Sequence, residues 1–123
     1  MSYRLLPRQR IRSRRIFQII FKRGTLAKGE LLNLWSCDDC AVSDKKSQEP
    51  KFAVMVSRKV SRRAVERNLW KRRIREVFRH RQSEIKKGIA ILIQAKKQKD
   101  SVPSYQIIET EMSRLLAKTG SLA

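Results

Sequence analysis

Nothing in the sequence interrupts a helix from residue 63 to residue 81, and the apolar residues of that stretch fall on one side. At about 100° per residue, Trp70, Ile74, Val77 and Phe78 share one arc. A helix with a single apolar stripe must bury it against another layer. The chain supplies that layer as short apolar runs at residues 31–35, 52–56 and, after Gly88, 89–93. These read as strands, the first two forming an antiparallel hairpin around the polar stretch 36–51.

Two amphipathic helices flank this centre. Ser13 is placed to cap a helix running to about Arg23, in which Ile16/Ile20 and Phe17/Phe21 are i,i+4 pairs and Gly24 is the stop. Residues 104–117 carry Ile107, Ile108, Met112, Leu115 and Leu116 at helical spacing. The expected fold is a single α+β sandwich of order α-β-β-α-β-α, with an extra short strand possible near 25–28. Residues 1–12, with Arg4, Arg8, Arg10 and Arg12 and no acid, read as a flexible basic arm. Residues 13–118 form the domain and 119–123 a short tail.

Charge narrows the function. Thirty Lys and Arg against eleven Asp and Glu give 123 residues a formal charge of +19. A compact state with that charge repels itself unless a polyanion is present. On the long helix, Asn68, Arg72, Arg75 and Arg79 share an arc beside the apolar stripe, with Lys71 between the two, so a line of donors faces outward. Arg58, Lys59, Arg62 and Arg63 lead into the same helix, where free backbone N–H groups add positive potential. Only Glu66 and Glu76 interrupt the run, too few to neutralise it. The pattern fits a nucleic-acid phosphate backbone, and the domain reads as an RNA-binding one.

Other chemistries find little support. No apolar run reaches membrane-spanning length and the N-terminus lacks a secretory apolar region, so the cytoplasm is the expected compartment. Cys37 and Cys40 have the spacing of half a zinc site, but no second Cys/His pair accompanies them, and His80 has no evident partner. No catalytic residue and no metal ligand is expected on the protein. The sequence offers no nucleophile–base set, no paired acids and no glycine loop for phosphate.

The run Ser57-Arg58-Lys59-Val60-Ser61-Arg62-Arg63-Ala64-Val65-Glu66-Arg67-Asn68-Leu69-Trp70-Lys71-Arg72-Arg73-Ile74-Arg75-Glu76 resembles the bacterial ribonuclease P protein family, whose hallmark is an R-N-R motif in a basic helix. The segment Phe17-Gln18-Ile19-Ile20-Phe21-Lys22-Arg23-Gly24 is similar to that family's F-x-x-x-F-[KR]-x-G helix. The resemblance implies a left-handed βαβ crossover and a protein subunit that pairs with a catalytic RNA to remove the 5′ leader of precursor tRNA. It implies that the RNA performs the cleavage with Mg²⁺, that the protein binds no cofactor of its own, and that one protein monomer joins one RNA. It places Arg67, Asn68, Lys71, Arg72 and Arg75 on RNA phosphates and sugars. It also places Phe17, Phe21, Trp35, Met55 and Ser57 in a cleft for the single-stranded leader, where aromatic faces stack on bases. From spacing alone, Phe17, Phe21 and Trp35 fit a core role as well as a stacking one.

The sequence departs from the family pattern at Leu69, which replaces the second arginine of R-N-R, at Trp70, usually aliphatic, and at Ala53, usually glycine. Arg73, one turn beyond Leu69, is the nearest arginine to take its place. Two other readings compete on the residues alone. One is a ribosomal or other structural RNA-binding protein with no processing role; the other is a DNA-binding protein, for which no helix-turn-helix or zinc module is visible.

Overall fold

Residues 90–93 are apolar without alternation because their strand is covered on both faces, the pattern of a central strand. The computed structural model describes residues 9–38, 50–98 and 102–122. Its elements are α1 (Arg14–Arg23), β1 (Thr25–Lys28), β2 (Leu32–Cys37), β3 (Lys51–Met55), α2 (Ala64–Arg81), a 3-10 turn (Gln82–Glu84), β4 (Ala90–Ala95) and α3 (Tyr105–Lys118). The α+β order is as expected, with 25–28 forming a strand of its own.

The strands make one four-stranded sheet of order β1-β2-β4-β3. β2 is antiparallel to β1 and β4, whereas β3 is parallel to β4. The hairpin expected between residues 31–35 and 52–56 therefore does not form, because β4 lies between those strands. The strand with the longest apolar run takes the place where both faces are covered, and α2 supplies the long crossover that a parallel β3–β4 pair needs.

Each face of the sheet has its own apolar layer. On one, Trp70, Ile74, Val77 and Phe78 of α2 and Ile108, Met112, Leu115 and Leu116 of α3 pack against Leu32, Leu34, Phe52, Ile91 and Ile93. Phe52 and Phe78 stack with centroids 4.1 Å apart, worth about 0.5–1.5 kcal/mol beyond their burial. On the other face, Ile20 of α1 packs with Cys37, Ala53, Ala90 and Leu92. Ser13 occupies the N-cap position of α1 without a side-chain capping bond. Gly24 ends the helix at φ −73°, not in a left-handed conformation. Its requirement is space, since a Cβ there would stand 2.5 Å from the Ile20 carbonyl oxygen.

Both proposed boundaries of the domain shift. Residues 9–12 are docked, not a free arm: Ile11 is buried, its N–H donates to the Phe52 carbonyl at 2.9 Å, and Arg10 bridges to Phe52 in parallel. The buried Gln9 side chain donates to the Pro50 carbonyl at 3.1 Å and to Gln82 Oε1 at 2.9 Å. At the other end Leu122 bridges to Ile85, and buried Ser121 donates to Ser36 Oγ at 2.7 Å. An apolar residue inside each basic or polar terminus gave it something to bury. Residues 1–8 and Cys40 lie outside the described residues; Cys37 is a buried free thiol in β2.

Candidate nucleic-acid interface

The chain leaves β3 through a turn, with the Val60 N–H donating to the Ser57 carbonyl at 3.1 Å, and enters α2 at Ala64. Ser57, Arg58, Lys59, Arg62 and Arg63 are all exposed here. Arg67 stabilises this entry. Its Nη1 donates to the carbonyls of Ser61 at 3.0 Å and Arg62 at 2.8 Å. Ser61 Oγ donates to the Glu66 carboxylate, closing the other side of the turn. A guanidinium has five N–H donors, so Arg67 keeps three for a ligand after bracing the loop.

Along α2 the apolar stripe is buried as the periodicity required, and the donor arc lies outside it. Asn68 and Arg72 are exposed, and Lys71, Arg75 and Arg79 are half-buried. Arg79 is an intramolecular partner as well, donating to Glu76 Oε2 at 2.7 Å. Arg73 does not fill the position left by Leu69. Its Nη1 donates to the carbonyls of Val102 at 3.1 Å and Pro103 at 2.6 Å, which turns it toward the entrance of α3. Nearest-arginine reasoning from the helix wheel could not see carbonyls thirty residues away.

The aromatic residues lie on the opposite sheet face, against α1. Phe21 is 43% exposed and meets half-buried Trp35 edge-to-face, with centroids 5.0 Å apart. Phe17 and Met55 are half-buried beside the same apolar cluster. These side chains are neither core nor fully exposed: Phe17, Trp35 and Met55 pack against the apolar cluster of this face, and Phe21 packs against Trp35. Ser57, two residues past β3, belongs to the basic turn.

The two groups meet around the outer edge of β3, along which the docked N-terminal segment runs. A cavity of about 210 Å³ is lined by Arg10 and Arg12 from the docked N-terminal segment, Phe17 from α1, Arg75 from α2, and Phe52 and Val54 from β3. Burial, reinforced by the nearby Arg10 guanidinium, pulls Arg75 below the usual arginine range. Like charges held this close favour an anion between them. The sequence did not show Arg10 and Arg12 beside Arg75, because residues 1–12 read as a free arm; buried Ile11 between them was the available signal.

Fold and surface together define a single-domain, strongly basic RNA-binding protein, with a line of basic side chains on one helix and half-exposed aromatic rings on the opposite sheet face. Residues 5–120 match the protein-family model for ribonuclease P, and the chain belongs to that family. It is 32% identical over 115 residues to the ribonuclease P protein component of Pseudanabaena sp. (strain PCC 6903), covering 93% of this chain and 94% of the relative. It is 38% identical over 80 residues to that of Microcystis aeruginosa (strain NIES-843 / IAM M-2473), covering 64% of each. Among solved structures, the Staphylococcus aureus RNase P protein superposes with a TM-score of 0.77 at 25% identity, over 94% of this chain and 98% of that one. The Thermotoga maritima RNase P protein does so with a TM-score of 0.71 at 25% identity, over 89% and 96%. The chain is thus the protein subunit of a tRNA-processing ribonuclease.

Proposed function

We propose that this subunit positions RNA on two surfaces and leaves bond cleavage to its RNA partner. The basic turn and the outer arc of α2 hold the catalytic RNA: Arg58, Lys59, Arg62 and Arg63 at the entry, then Arg67, Asn68, Lys71, Arg72, Arg75 and Arg79. Phosphate contacts of this kind supply affinity through counterion release and fix orientation without reading sequence. The α1 face receives the unpaired 5′ leader of precursor tRNA, with Phe17, Phe21, Trp35 and Met55 as its apolar wall and Ser57 near its mouth. Mg²⁺ in this reading belongs to the RNA. One protein monomer serves one RNA, in the cytoplasm.

The half-exposed Phe21–Trp35 pair, one helical turn along α1 from Phe17 of the Arg10, Arg12 and Arg75 cavity, carries this reading. A ring that stacks on unpaired bases must keep one face open to solvent, and single-stranded RNA sites combine such rings with a cationic groove. The test is reconstitution with the catalytic RNA and two substrates, a leader-bearing precursor and mature tRNA. The protein is expected to lower the Mg²⁺ requirement for leader removal and to favour the precursor. Phe17→Ala should weaken precursor binding more than mature tRNA binding. RNA association indifferent to the leader would indicate a structural RNA-binding role instead.

A further inference from the structure

The first twenty-nine residues contain no acidic residue, and the structure concentrates part of that charge on α1. Ile20 faces the sheet, so Arg14, Arg15, Gln18 and Lys22 form the exposed outer surface of the helix. Arg15 and Lys22 pair with no carboxylate among the described residues. With half-buried Ile19 and with Gln18 and Arg23, they line a shallow depression of about 350 Å³. Stability does not account for this arrangement. Arg14 and Arg15 occupy the first turn of α1, which has no acidic residue, and a cation there opposes the helix dipole. Surface helices that serve only the fold mix both signs.

We propose that this outer face of α1 is a second phosphate-contacting surface, which carries the 5′-distal part of the leader after it leaves the Phe17–Phe21 edge. The inference rests on the reading of that edge as the leader cleft. Position on the molecule selects the RNA segment. α2, assigned to the catalytic RNA, packs on the other face of the sheet, whereas Phe21 and Arg14 lie within about 20° of arc on the same helix. A strand seated against Phe21 therefore reaches Gln18, Lys22 and Arg15 by crossing one helix. Arg15 and Lys22 are two turns apart, about 10 Å along the axis, so they engage separate phosphates.

The experiment compares reconstituted holoenzymes containing the wild-type protein, the Arg15→Ala/Lys22→Ala double variant, or Arg15→Lys/Lys22→Arg. Each is titrated with precursors bearing either a one-nucleotide or a long leader. The alanine variant is expected to lose roughly tenfold in affinity for the long-leader precursor at moderate salt, and its log K against log salt slope should shrink by up to about 1.4. The short-leader precursor should bind as it does to wild type, and the charge-retaining variant should restore the long-leader gain. Melting temperatures identify any unfolded variant, and the charge-retaining one keeps the comparison open in that case. Equal losses on both precursors, or no loss on either, overturn the inference. If the wild-type holoenzyme itself fails to distinguish leader-bearing from mature tRNA, the cleft reading fails first. If it distinguishes them and depends on Phe21 while the alanine variant keeps the full long-leader gain, only the outer face is excluded.

Discussion

Arg73 and Arg72 are neighbours in the basic run, yet they have different tasks. Arg73 braces the Val102 and Pro103 carbonyls, and Arg72 is exposed on the donor arc. Arg73→Ala should therefore lower stability by about 1.5–3 kcal/mol, the scale of a hydrogen bond from a charged donor, with RNA affinity largely kept. Denaturant unfolding beside an RNA titration would separate the two effects. Arg72→Ala with Arg75→Ala should do the reverse. Two lost phosphate contacts reduce the log K against log salt slope by up to about 2 while the unfolding midpoint changes little. An unaltered slope removes both residues from the interface. The donor arc was legible in the sequence because it depends on helical period alone. The inward turns of Arg73 and Arg67 were not, because their acceptors are carbonyls whose positions depend on loops.

Among the elements, the β1–β2 turn depends most visibly on one distant side chain. Buried Glu111 of α3 accepts from the N–H groups of Glu30 at 2.9 Å and Leu31 at 2.7 Å, and Arg114 donates to it at 3.2 Å. Lys96 Nζ donates to the Gly29 carbonyl at 2.9 Å, closing the turn from the other side. Glu111→Ala leaves two amides without their acceptor and should cost about 1–3 kcal/mol by equilibrium unfolding. Gly29→Ala should also destabilise, since its Cβ would lie 2.8 Å from the Glu111 carboxylate and 2.9 Å from the Leu32 carbonyl oxygen. β1 is the sheet edge opposite β3, so neither change is expected to alter binding of the catalytic RNA in a filter or mobility assay. A Glu on an otherwise apolar helix face was visible in the sequence, but its partners eighty residues upstream were not.

For the whole molecule, a charge of +19 on a small domain makes folding itself sensitive to ions. Raising salt from low to moderate concentration shortens the Debye length to about 10 Å at 0.1 M and should raise the melting temperature. A temperature that falls over that range would show that the repulsion is already balanced by internal pairs. The sequence by itself determined the helices, the apolar stripe of α2, the donor arc beside it and the excess charge. All of these follow from local periodicity and residue chemistry. It did not determine that β4 separates β2 from β3, because the choice of strand neighbours depends on which strand can be covered on both faces. Nor did it determine that Arg10 and Arg12 face Arg75 and Phe17 around the β3 edge. That meeting joins side chains from four elements on two faces of a sheet, and only long-range packing brings them together.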